Sequence, residues 1–146
     1  MEARLSIRYS RQDLIAAILA NAPTDDVSVS VYRDGNPSNP ELLVIVRILD
    51  KEQDPEASSW IPYSWAARSG NHLILHIDHA TICDIITTHA RELVSSACPS
   101  ADHDSAEVHT SINGQEIALE VTFDVRTSQA GSQTRRERDL RVSRLA

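Results

Sequence analysis

All six histidines of this chain, His72, His76, His79, His89, His103 and His109, fall between positions 72 and 109, and both cysteines, Cys83 and Cys98, lie in the same stretch. Imidazole, thiolate and carboxylate groups at short spacing can hold a transition metal. The run His72-x3-His76-x2-His79-x3-Cys83 invites that reading. Residues 72–78 alternate as a strand, however, which sets His72 and His76 about 13 Å apart at ~3.3 Å per residue. Two ligands must both come within about 2 Å of one ion. His76 and Asp78 on one face, joined by His79 at the strand end or by His109 from a neighbouring hairpin, make the better set. Such a set would serve metal-assisted hydrolysis. Neither a zinc-ribbon spacing nor a His-Glu-x-x-His helix is present, and the leading reading carries no cofactor.

Nucleophilic chemistry would need a thiol beside an imidazole. Cys83 pairs in sequence with His79 or His89; His89 would lie about 120° from it around the helix, whereas His79 is at the helix start, where the dipole would lower a nearby thiol's pKa. The alternative is a buried, inert thiol. His89 falls inside an apolar helical arc and reads as a half-buried core residue whose ring nitrogen finds a carbonyl. No Gly-rich phosphate loop, nucleophile elbow or dinucleotide fingerprint occurs. Cys83 and Cys98 would sit about 22 Å apart along one helix and cannot bridge each other there.

The elements that place these groups are marked by pattern. Ser10-Arg11-Gln12-Asp13 has the form of a capping box, and Leu14, Ile15, Ile18, Leu19 and Ala22 share a face, so a helix is expected over 11–21. Val27, Val29 and Val31 alternate with Ser28, Ser30 and Tyr32 as a strand, and Asp34-Gly35-Asn36-Pro37 turns the chain. Residues 42–49 are apolar on both faces except for Arg47, which predicts a central strand. Leu73, Leu75 and Ile77 give a third strand ending near Asp78. Thr81-Ile82-Cys83-Asp84 reads as a second capping box, followed by a helix whose arc carries Ile82, Ile85, Ile86, His89, Ala90, Leu93 and Ala97 and which Pro99 ends.

Asn113-Gly114 between residues 106–112 and 115–125 predicts a β-hairpin with a type I′ turn. That turn would pair Ile112 with Gln115, Thr110 with Ile117, Val108 with Leu119 and Ala106 with Val121 on a dry face. Glu107, His109, Ser111, Glu116, Ala118, Glu120, Thr122 and Asp124 would then lie on a wet face, with Glu107 opposite Glu120. The expected fold is α+β: a two-layer sandwich of about five mainly antiparallel strands, two amphipathic helices on one face, and a C-terminal β-hairpin. Residues 1–126 form the single domain. Residues 127–146 read as a polar, Arg-rich, flexible tail, and no internal repeat is apparent.

Composition narrows the function classes. The chain has 146 residues, is 41% hydrophobic, and has four glycines and two cysteines, which excludes collagen, a disulfide scaffold and a disordered chain. No apolar run approaches the roughly 20 residues of a membrane span, and Met1-Glu2-Ala3-Arg4 does not open a signal peptide. A cytoplasmic protein without membrane contact is expected. The net charge is −7. The tail carries Arg135, Arg136, Arg138, Arg141 and Arg144 against Glu137 and Asp139, so the body is more acidic still. An acidic body is a poor nucleic-acid binder and suits a basic protein partner, which leaves only the tail for nucleic acid.

Residues 50–71 break the strand and helix patterns, with Asp50, Glu52, Asp54 and Glu56 preceding Trp60, Tyr63 and Trp65. Exposed aromatics beside acidic residues can anchor and steer a basic partner; folded back, the same aromatics would plug the core. The wet-face residues Glu107, Glu116, Glu120 and Asp124 offer a second docking surface, and an open sheet face also admits a homodimer. The sequence thus reads as a small acidic, non-enzymatic protein-binding module, an inhibitor or accessory protein engaging the basic, nucleic-acid-binding surface of a partner. The alternatives are a small metal-assisted hydrolase built on His76, Asp78, His79 and His109, and a nucleic-acid-associated subunit acting through its tail.

Overall fold

The computed structural model describes residues 3–36, 38–58, 60–113, 116–126 and 138–141. Among them are eight strands and two α-helices: β1 (Ala3–Tyr9), α1 (Arg11–Leu19), β2 (Val27–Asn36), β3 (Asn39–Leu49), β4 (Trp65–Ser69), β5 (His72–Ile77), α2 (His79–Ala97), β6 (Glu107–Asn113), β7 (Glu116–Val125) and β8 (Arg138–Arg141). The α+β class is as expected. Its architecture differs: two four-stranded sheets, ordered β6-β7-β1-β8 and β2-β3-β5-β4, replace one sheet of about five strands. All pairings are antiparallel except β1 with β8.

The chain divides into two compact units, the first made of Met1–Asp13 and Ile86–Ala146, the second of Leu14–Ile85. The boundaries fall inside α1 and α2. A strand–helix–hairpin order occurs twice, as β1-α1-β2-β3 and as β5-α2-β6-β7. The leading strand of each repeat pairs with the last hairpin strand of the other, β1 with β7 and β5 with β3. The repeat that sequence inspection misses is therefore present in topology and register. Leu5, Ile7, Tyr9, Leu14 and Ile18 of the first copy correspond to Leu73, Leu75, Ile77, Ile82 and Ile86 of the second, and all ten are buried.

In the first unit Leu5, Ile7 and Tyr9 face the same way as Leu119, Val121 and Phe123, their partners across β1 and β7. In the second, Leu73, Leu75 and Ile77 meet Ile48, Val46 and Val44 in the same manner. Each such fully buried side chain contributes about 1.5–3 kcal/mol.

Local chemistry sets the helix starts. The Ser10 amide donates to Asp13 Oδ2 (3.0 Å) and the Asp13 amide to Ser10 Oγ (3.2 Å), the reciprocal cap expected there. The second helix begins earlier than expected. Asp78, not Thr81, caps it by accepting from the Thr81 amide at 2.9 Å.

The strands correct three further expectations. The second hairpin closes on Asn113 paired with Glu116, so Val108 opposes Val121 and Thr110 opposes Leu119, a register displaced by two residues along β7. Because side chains alternate with period two, the even displacement keeps every residue on its expected face. It does, however, set Glu107 opposite Thr122, and Glu120 opposite His109. Strand β4 lies within residues 50–71, where no strand is expected, and joins β5 through Gly70-Asn71. Positive φ at Gly70 (60°) and not at Asn71 fits a type II′ turn. In the Arg-rich tail, Arg138–Arg141 forms β8, paired with Leu5 to Arg8. The rest of the tail, with Arg135, Arg136, Glu137 and Arg144, lies outside the described residues, as does Gly114 of the expected turn.

Candidate functional site

Strand β3 is apolar on both faces and central in its sheet. Leu42, Val44, Val46 and Ile48 are buried, while Leu43, Ile45 and Leu49, pointing the other way, are only half-buried. Cross-strand register extends this second face. Tyr32 opposes Leu43; Ser30, Ile45, His76 and Trp65 form one row; Ser28, Arg47, Ile74 and Ala67 form the next. Tyr32 is 50% exposed and Trp65 54%. The Trp65 indole lies flat on the His76 imidazole, with ring centroids 3.7 Å apart and planes inclined by 11°. One sheet face of the second unit thus carries half-exposed apolar side chains, Leu43, Ile45, Ile74, Tyr32 and Trp65, interspersed with Ser28, Ser30 and Arg47.

The first unit serves as an internal control. Aligning the two registers puts Ile45 with Glu120, Leu43 with Ala118, Leu49 with Asp124, Ile74 with Ser6 and Tyr32 with Ser111. The equivalent face there is polar. Arg4 reaches Asp124 at 3.7 Å, Arg8 opposes Glu120, and His109 lies 3.6 Å from Glu107. The expected acidic surface of Glu107, Glu120 and Asp124 is therefore interleaved with arginines that β1, unforeseen from sequence, supplies. Glu116 is exposed and lines a cleft of about 360 Å3 with Arg8 and Arg11.

The aromatic segment differs in exposure along its length. Trp60 is half-buried and its Nε1–H donates to the Ile18 carbonyl at 3.0 Å. Ile61 is buried and supplies the plug, a residue the sequence reading passes over. Tyr63 is 40% exposed, and Trp65 joins the apolar face. The acidic stretch before them surrounds a cleft of about 520 Å3 whose walls include Asp26, Asp50, Glu52, Asp54 and Trp60. Within it Asp50 is buried and accepts from Arg68 at 2.8 Å and from the Asp54 amide at 3.1 Å. The Arg68 hydrogen bond holds the Asp50 carboxyl below the usual carboxylate range, with the amide bonds assisting and burial opposing.

The histidines are engaged separately. His76 stacks on Trp65, and His79 Nδ1 accepts from the Leu42 amide at 3.0 Å. Asp78 caps α2, and hydrogen bonds from Thr81 hold its carboxyl low. His109 belongs to the other unit, on β6. Among the described residues no three or more His, Cys, Asp or Glu side chains converge as a metal-ligand group. With Nδ1 accepting, a neutral His79 ring carries its proton on Nε2, which lies 3.6 Å from Cys83 Sγ. The ring therefore cannot serve as the thiol's base in this form. Burial, aided by the Asp84 charge, pushes the Cys83 thiol up, opposite to the shift expected from the helix start.

His89 is half-buried as expected, but its partner is a hydroxyl and not a carbonyl: its Nδ1 lies 2.7 Å from the hydroxyl of buried Tyr9. No helix among the described residues is long and apolar enough to cross a membrane. Comparison with protein-family models, with curated proteins and with solved structures finds no match for the chain.

Proposed function

We propose that this chain is a non-enzymatic protein-binding module whose contact surface is the outer face of the β2-β3-β5-β4 sheet. One observation carries the reading: a scaffold repeated within the chain is polar on this face in one copy and apolar in the other. Folding does not require Leu43, Ile45, Leu49, Ile74 and Tyr32 there, because the first unit is built with Ala118, Glu120, Asp124, Ser6 and Ser111 at the same register. Exposed Tyr32 and Trp65, on the two edge strands of this face, are of the residue types that dominate protein contacts.

The patch is rimmed by Asp34 and Glu41 at one end and by Asp25 and Asp26 at the other, with Arg47 between. That rim favours a partner that sets cations opposite it, as an accessory or inhibitor protein of the cytoplasm would require. The metal-hydrolase alternative is not supported by the separate engagements of His76, Asp78, His79 and His109.

Radical footprinting in the native cell and on dilute purified protein tests the reading. Oxidation of Trp65 and Tyr32 is expected to be slower in the cell, measured against half-buried Trp60, whose indole is held to the Ile18 carbonyl. Equal oxidation in both settings would overturn it.

A further inference from the structure

We infer that a second copy of this chain occupies the outer face of the β2-β3-β5-β4 sheet, related by a two-fold axis that sets Arg47 of each protomer opposite Glu41 of the other. The inference rests on the reading of that face as a contact surface and names its occupant.

Strand β3 is self-complementary along its outward positions. Glu41, Leu43, Ile45 and Arg47 are spaced symmetrically about Val44. A two-fold axis lying between two packed sheets and crossing β3 at Val44 runs the strand antiparallel to its own copy. Leu43 then meets Ile45 twice and Glu41 meets Arg47 twice. Tyr32, opposite Leu43, comes over Ser30, opposite Ile45, where a small side chain leaves room for the phenol ring. Sheets packed face to face lie about 10 Å apart with their strands nearly aligned, a distance that long Arg and Glu side chains span.

Arg47 itself points the same way. It is exposed on this face toward the end that Asp25 and Asp26 rim, and among the described residues its side chain has no hydrogen-bond or ion-pair partner. Thr122 holds the equivalent place in the first unit, so the scaffold does not call for a cation there. Covering an unpaired cation is costly unless the covering molecule brings a carboxylate, and a second copy brings Glu41. Repulsion between the two acidic bodies is screened beyond about 8 Å at physiological ionic strength.

Sedimentation equilibrium of the full chain across micromolar concentrations tests this, with circular dichroism confirming that each variant is folded. The wild type should approach twice its 16.2 kDa mass. Ile45→Glu, which would bury a carboxylate without a partner, should weaken association about 100-fold or more. Arg47→Glu and Glu41→Arg alone should each weaken it about tenfold, and the double swap should return it to within about threefold of wild type. A wild type that stays monomeric at about 100 μM overturns the second copy as occupant. Should Trp65 and Tyr32 still be protected in the cell, the contact-surface reading stands and the occupant is a different, cation-bearing protein. A dimer indifferent to Ile45→Glu and Arg47→Glu overturns the inference by placing the contact elsewhere. Single charge variants that weaken the dimer without rescue by the double swap overturn the two-fold pairing.

Discussion

The hydroxyl of Tyr9 and the Nδ1 of His89 lie 2.7 Å apart, joining the first strand of the chain to its second helix, with the rings edge to face at 5.5 Å. Burial pushes the Tyr9 phenol well above its ordinary value and pulls the His89 imidazolium below its own. Tyr9 is therefore the donor and neutral His89 the acceptor. A histidine whose folded pKa is depressed contributes stability that is present above its unfolded value near 6.5 and is lost as pH falls through that value toward the folded one. The Tm is expected to fall between pH 7 and pH 5, and His89→Gln should flatten that slope. Tyr9 acts at the other end: its contribution is full below pH 10 and is lost as pH rises beyond it. Tyr9→Phe should cost about 1–3 kcal/mol in urea unfolding at pH 7, because it leaves a half-buried ring nitrogen unpaired.

The Asp50–Arg68 pair makes a second, separate pH prediction. Asp50 has a lowered folded pKa, so its stabilising contribution is present above the unfolded value near 3.8 and is lost as pH falls below it. Arg68→Ala should lower the Tm at pH 7 and narrow the gap between pH 7 and pH 3. Thermal scans of both proteins at the two pH values supply the check.

The repeated core predicts matched costs. Leu14→Ala and Ile82→Ala remove equivalent, fully buried side chains, and each should cost about 2–5 kcal/mol. Denaturant unfolding of the two variants side by side reads this directly. A large disparity would mean that the two copies are not equivalently packed.

The caps give a positional prediction. Asp78→Ala should destabilise α2, since the Thr81 amide then loses its acceptor, whereas Thr81→Ala should leave that backbone cap intact. Helical circular dichroism and the Tm of the two variants distinguish this arrangement from a cap at Thr81.

Trp65 and His76 form a stack that fluorescence can report. In a Trp60→Phe background the remaining indole should emit at long wavelength, as half-exposed Trp65 requires. His76→Ala should raise both its intensity and its access to acrylamide. An emission unchanged by His76→Ala would mean that the rings do not stack in solution.

Much of the frame was legible in residue pattern. Valine alternation over β2, the two-sided apolarity of β3, the Ser10 cap and the β6–β7 hairpin all follow from local periodicity and capping chemistry. Two further strands had signals of the same kind: Leu5, Ile7 and Tyr9 alternate with Arg4, Ser6 and Arg8, and Gly70-Asn71 lies between two short runs that form a hairpin. The internal repeat left no comparable trace. It conserves apolar spacing and register, not residue identity, and each copy completes its sheet with a strand from the other. The candidate site was only half legible for the same reason. Trp65 and Tyr63 stand out by type, but Leu43, Ile45 and Ile74 read as core until the register shows that their face has no cover among the described residues. Arg4 and Arg8 could be placed against Glu120 and Asp124 only once β1 was known to pair with β7.

The exchange of leading strands sets an order on synthesis. Residues 14–85, which carry the β2-β3-β5-β4 sheet, are contiguous and can close as soon as they leave the ribosome, whereas β1 must wait for β7, more than a hundred residues later. The native partners of β1, β7 and β8, are both late in the chain, so contact order concentrates in the first unit and the sheet of the second can form before the fold is complete.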